Sequence, residues 1–115
     1  MRNTTQKTLD YLKSNPIVNN FLNQVNTQRK EYYVKSNMPN QYTEVTAEVG
    51  NKYIRLWDGT CCWGFISRVD GNLKGSLIKK GDFLKPATWK APAKHARGNI
   101  MDGTAKYSAY GPSYL

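Results

Sequence analysis

Acidic residues, cysteine, histidine and long apolar runs are all scarce in this sequence, and each shortage removes a class of protein. Only 8 of the 115 residues are Asp or Glu, and no carboxylate pair, P-loop or dinucleotide fingerprint is present. The enzyme classes those motifs serve are therefore not indicated. No window approaches the roughly 20 apolar residues of a membrane span. The opening MRNTTQKTLDYLKSNP lacks the apolar core of a signal peptide. A cytosolic protein that does not enter membranes is the expectation. The two cysteines, Cys61 and Cys62, are sequence neighbours and cannot bridge without strain, so reduced thiols are expected. With a single histidine, His95, they fall short of the four ligands of structural zinc, and no metal or other cofactor is expected.

What is present is base. The chain has 17 Lys and Arg, a formal net charge of +9, with ordinary hydrophobic (39%) and charged (22%) fractions for one folded domain. The excess is uneven: residues 1–45 hold six basic and three acidic residues, and residues 46–115 hold eleven and five. Between Lys74 and Arg97 seven bases face only Asp82. Charge of this size bears on partners rather than on fold. It permits nucleic acid, a nucleotide, an anionic surface or an acidic protein.

The periodicity of the chain changes once. Residues 3–14 read as a helix, with Asn3 and Gln6 as a capping pair and Leu9 and Leu12 on one face. Pro16 restarts the chain as a second helix to about Ser36, with Ile17, Val18, Phe21, Leu22, Val25 and Tyr32 as its apolar stripe. The other face, including Asn19, Asn20, Asn23, Gln24, Gln28, Arg29 and Lys30, reads as solvated. The stripe is expected to pack on the rest of the domain; self-association through residues 16–36 is the minor alternative. From Tyr42 the period becomes 2, with Thr43, Val45, Ala47 and Val49 on one strand face. Gly50-Asn51 turns the chain into 52–57, and Asp58-Gly59 reads as a type I′ turn into 60–69. Strict alternation there sets Cys61, Trp63, Phe65 and Ser67 against Cys62, Gly64, Ile66 and Arg68. Asp70-Gly71-Asn72 leads into a strand at 73–79, and Gly81-Asp82 into a short Phe83-Leu84 strand. Residues 86–104 read as an ordered loop, and the tail with Tyr107, Tyr110 and Tyr114 as one more edge strand. The expected fold is α+β: two N-terminal helices (residues 1–40), then a twisted antiparallel β-meander of about five strands (residues 41–115), or a small barrel, in one folded unit.

The stretch KPATWKAPAKHARGN (85–99) carries Lys85, Lys90, Lys94 and Arg97 with no acid between them. Each cation can neutralise a phosphate, and Arg97 can do so with two parallel hydrogen bonds. Gly98 and Asn99 allow backbone amides to approach an anion. Trp89 can stack on a base. On the sheet, Tyr53, Arg55 and Trp57 share one face by alternation, an arrangement that sheet-based folds use for single strands, and Arg68 is a further cation. The bland alternative is a solvated basic loop anchored by Trp89, with Tyr53 and Trp57 in the core. His95, flanked by Lys94 and Arg97, is the one side chain of the type that ordinarily serves as a base near neutrality. Catalysis would need a second group. Asp102 or Tyr107 could serve, but no spacing compels either. Cys61 or Cys62 as nucleophile is weaker still, so a non-enzymatic protein is expected.

The runs Trp63-Gly64-Phe65, KKGDFLKPATWKAPAKHARGNIMDG (79–103) and YGPSYL (110–115) resemble a group of small, largely uncharacterised proteins of tailed bacteriophages. The similarity covers residues 42–115 and leaves the N-terminal helices outside it. It implies a phage origin and expression in a host bacterial cytoplasm, and it carries no chemistry over to any residue. A nucleic-acid-binding or other phosphate-binding protein is the reading favoured. The alternatives are host takeover or anti-defence, by binding an acidic host protein or sequestering a host signalling nucleotide, and a minor virion component.

Overall fold

The computed structural model describes residues 5–73 and 75–113. Helix α1 (Gln6–Ser14) starts at Thr5, whose Oγ1 accepts the Thr8 N–H at 3.2 Å. Thr5 therefore caps this helix; the expected cap, Asn3, lies outside the described residues. Pro16 opens α2 (Pro16–Lys35) as expected, because proline's fixed φ suits the first helical turn and its missing N–H costs nothing there. Asn37 at φ 61° takes the left-handed turn that ends α2, and Pro39 begins a single 3-10 turn, Pro39–Gln41. Among the described residues no helix is long and apolar enough to cross a membrane.

The strands follow in order: β1 (Val45–Val49), β2 (Tyr53–Asp58), β3 (Cys61–Ser67), β4 (Gly71–Leu73), β5 (Ser76–Ile78), β6 (Asp82–Thr88), β7 (Ala91–Asn99), β8 (Tyr107–Ser108) and β9 (Gly111–Pro112). Five of them form one antiparallel sheet in the order β1-β2-β3-β6-β7. The sheet is open, with β1 and β7 at its edges, so it does not close into a barrel. The expected 73–79 strand is instead the β4–β5 hairpin, inserted between β3 and β6. The tail forms its own two-stranded ladder, β8–β9, rather than extending the sheet. Tyr114 lies outside the described residues.

Burial shows why the elements sit as they do. From α2, Val18, Phe21, Leu22 and Val25 pack on Val45, Ala47, Val49, Ile54, Leu56, Trp63, Ile66 and Phe83 of the sheet. The α2 stripe is thus buried within its own chain. Ile17, expected in that stripe, is exposed. The opposite sheet face carries a smaller cluster of Phe65, Leu84 and Ile78 from β5. One bulge departs from strict alternation. Trp57 pairs with Cys62 but Leu56 pairs with Gly64, so Trp63 is an extra residue in β3. It reverses the alternation and puts Trp63 with Ile66 on the helix side, while Phe65 faces away. The turn before it also differs from expectation. Its central residues are Gly59 and Thr60, with Gly59 at φ 62° and Asp58 already paired to Cys61. Only the first central residue is left-handed, as a type II′ turn requires.

The largest correction concerns residues 86–104. Most of this stretch is strand, because β6 continues to Thr88 and returns as the nine-residue β7. The pairing is irregular: Leu84 pairs with Ala96, Pro86 with Pro92 and Thr88 with Ala91, with a register shift at each step. Two prolines face each other with no N–H to donate, and the shifts erase the period-2 pattern that would have marked a strand. Beyond Leu84 the hairpin runs past the β3 ladder, which pairs only Phe65 and Ile66 with it.

Arg29, expected on the solvated face of α2, is 1% exposed. Its Nε donates to Ala109 O at 2.9 Å, its Nη2 to Asp58 Oδ2 at 2.7 Å and its Nη1 to Thr43 O. The rings of Tyr33 and Tyr42 lie 5.7 and 5.8 Å from its guanidinium carbon. Removing one partner of such a pair strands a charge out of water. Arg29→Ala is expected to lower unfolding stability by about 3 kcal/mol, the low end of the range for broken buried pairs, because Asp58 is 28% exposed. A urea unfolding curve checks this through its midpoint at unchanged slope.

Candidate functional site

The β6–β7 hairpin ends in a two-residue turn, Trp89-Lys90, closed by the Thr88–Ala91 pair and by the Lys90 N–H donating to Thr88 Oγ1 at 3.2 Å. The Trp89 ring is 52% exposed. Lys90 Nζ lies 5.4 Å from its centroid, and the Arg55 guanidinium carbon 5.8 Å from it. Both are at cation–π distance. The hairpin therefore brings Trp89 and Lys90 over Arg55 of β2, from the face opposite the helices.

Arg55 is fixed from below. Its guanidinium carbon lies 5.8 Å from the Trp57 ring and 5.6 Å from the Phe65 ring. Its Nη1 donates to Glu48 Oε1 at 2.9 Å, and Trp57 Nε1 donates to the same oxygen at 3.1 Å. Glu48 and Arg55 are direct cross-strand partners. The turn is centred on Asn51-Lys52, with the Gly50 N–H donating to Tyr53 O at 2.9 Å. It lies one residue later than the expected Gly50-Asn51 turn, from which counting would have set Glu48 against Tyr53. Opposite charges facing each other across a hairpin are favourable. Alongside, a half-open cleft of about 290 Å³ is lined by Glu48, Asn51, Lys52, Tyr53, Arg55 and Phe65.

The other expected residues divide. Tyr53 is half-buried at this cleft, with its ring edge-on to Phe65 at 6.0 Å. Trp57 shares the face as expected but is only 2% exposed, so it supports Arg55 and offers no stacking surface. Lys94 and His95 are exposed on β7, and Lys85 is half-buried on β6. Arg97 turns to the C-terminal segment, with Nε donating to Ser113 O at 3.1 Å and Nη1 to His95 O. Two of its donors are thereby committed within the chain. Arg68 turns toward α1, 4.6 Å from the Tyr11 ring, and donates to Gly50 O. It stands apart from the Trp89 group.

Gly98 and Asn99, expected to let backbone amides approach an anion, make close structural contacts within the chain. Asn99 Nδ2 donates to Lys80 O at 3.0 Å and Asp82 Oδ1 at 2.9 Å, and its Oδ1 accepts the Met101 N–H at 2.7 Å. Gly98 sits at φ 90°, where a Cβ would come within 1.9 Å of Thr104 O. Both the positive φ and the close backbone approach require glycine. Gly98→Ala is therefore expected to cost roughly 3 kcal/mol or more and to lower the melting temperature by several degrees, measured by calorimetry.

Neither group considered as a partner for His95 is aimed at it by hydrogen bonding. Asp102 accepts from Thr104 Oγ1 at 2.6 Å and from Thr104 N at 3.0 Å, and these bonds hold its carboxyl below the usual range. Tyr107 packs among Phe21, Trp63 and Phe83, and burial raises its hydroxyl pKa. Burial likewise pushes the Cys62 thiol up, away from the thiolate a nucleophile needs.

Residues 2–111 match the model of a family of unknown function (DUF7717), and the chain belongs to that family. No curated protein and no solved structure matches it.

Proposed function

We propose that this family member is a non-catalytic protein that binds nucleic acid through the tip of its β6–β7 hairpin. The observation that carries this reading is the half-exposed Trp89 ring with Lys90 and Arg55 both within 6 Å of its centroid. A base meeting that ring would find the exposed Lys90 beside it for a phosphate. Arg55, ion-paired to Glu48, supports the ring, and the exposed Lys94 on the adjoining strand adds positive charge. The net charge of +9 adds long-range attraction for a polyanion. Among the described residues Asp102 is bonded to Thr104 and Tyr107 is packed among Phe21, Trp63 and Phe83, which supports binding over chemistry at His95. The resemblance of residues 42–115 to small proteins of tailed bacteriophages supports a phage origin and action in the host bacterial cytoplasm.

Two lysines are exposed enough to be removed without disturbing the fold. Lys90→Ala combined with Lys94→Ala is expected to reduce the slope of log affinity against log salt by about 1 to 2. Fluorescence anisotropy of a labelled oligonucleotide over a series of salt concentrations measures this. An unchanged slope would place the phosphate contacts elsewhere on the molecule.

A further inference from the structure

We infer that the nucleic acid this surface takes is single-stranded, with a base stacked on Trp89 and the Arg55–Tyr53 cleft holding the next stretch of chain. The inference rests on the nucleic-acid reading above and deepens it. The geometry distinguishes the two forms of polymer. In a duplex both faces of every base are covered by neighbours, so an indole gains a base face only after costly unstacking. A single strand offers those faces freely. A two-stranded ribbon also fits a major groove, but there it meets base edges and leaves the Trp89 ring without a partner face.

The surroundings of Trp89 continue the same pattern. Tyr53 and Arg55 lie two residues apart on one strand face, about 7 Å along β2, and both line the cleft at the β1–β2 turn, which Glu48 also lines. Arg55 thus lies 5.8 Å from the centroid of a half-exposed indole and shares the cleft with a half-buried phenol. Two rings and a cation so grouped suit the bases and phosphates of an extended strand. Arg55 is held in this position by Glu48, Trp57 and Phe65 before any ligand arrives, so little ordering remains to be done on binding. The helices pack on the opposite face of the sheet, so this side has no helix to enter a groove.

Trp57 and Trp63 are buried, so intrinsic fluorescence that changes on binding reports chiefly on Trp89. The experiment titrates the protein with an oligothymidylate of roughly 12 nucleotides and, separately, with the same strand annealed to oligoadenylate. The single strand is expected to quench the fluorescence and to bind roughly tenfold or more tightly than the duplex. Trp89→Ala should weaken single-strand binding roughly tenfold while changing duplex binding less than about twofold. Trp89→Phe should keep most of the affinity and lose the quench. Circular dichroism of both variants confirms that they are folded. Equal affinity for duplex without quenching would overturn the single-strand inference and leave nucleic-acid binding standing. Binding of neither form would overturn both.

Discussion

A guanidinium taken out of water must find a partner for nearly every donor, and Arg29 finds them in three separate parts of the chain. It holds α2 to the segment before β1 through Thr43, to the end of β2 through Asp58 and to the C-terminal segment through Ala109. Trp63 Nε1 donates to that same Ala109 carbonyl at 3.3 Å, so the bulge in β3 is tied into the arrangement. The apolar packing of α2 on the sheet is non-directional and would tolerate a rotated helix. The directional bonds of Arg29 would not. They fix how α2 lies on the apolar sheet face it covers, and the other face is left for Arg55 and the hairpin tip.

The two edges of the sheet are finished differently. Along β1, Asn26 bonds both the N–H and the C=O of Val45, and Thr8 Oγ1 accepts the Val49 N–H at 3.2 Å. Helix side chains thus stand in for the missing neighbour strand. Along β7 only the last part is covered, where Lys106 N donates to Arg97 O at 2.8 Å and Thr104 N to Asn99 O at 3.0 Å. The uncovered part carries Pro92 and Lys94, residues that discourage pairing with another strand. Proline removes a donor and lysine adds charge, so this edge offers little to another strand.

The sequence made the helices, the meander and the helix-facing side of β1 legible, because periods of 3.6 and 2 are strong wherever one face is buried. It did not reveal Arg29 as core. A long cationic side chain at a helical position reads as solvated unless its partners are known, and those partners lie 14, 29 and 80 residues away. The β6–β7 hairpin was hidden for another reason: its register shifts and facing prolines remove both alternation and ladder donors. Of the residues expected to bind, alternation correctly placed Tyr53, Arg55 and Trp57 on one sheet face, and Trp89 and Lys90 stand together at the hairpin turn. Which of them stay accessible was settled by packing. Trp57 is closed off beneath Arg55, and Gly98 and Asn99 end β7, tied by close contacts to the turn that follows.

Arg29 anchors one end of the molecule, and the proposed binding surface lies at the other, at the hairpin tip. Nuclear magnetic resonance of the isotope-labelled protein, titrated with a short oligothymidylate, tests that separation residue by residue. Shifts concentrated at Tyr53, Arg55, Trp89, Lys90 and Lys94, with the α2 amides around Arg29 unmoved, are the predicted result. Shifts centred on α2 and the Tyr32, Tyr33 and Tyr110 rings, with Trp89 silent, would contradict it.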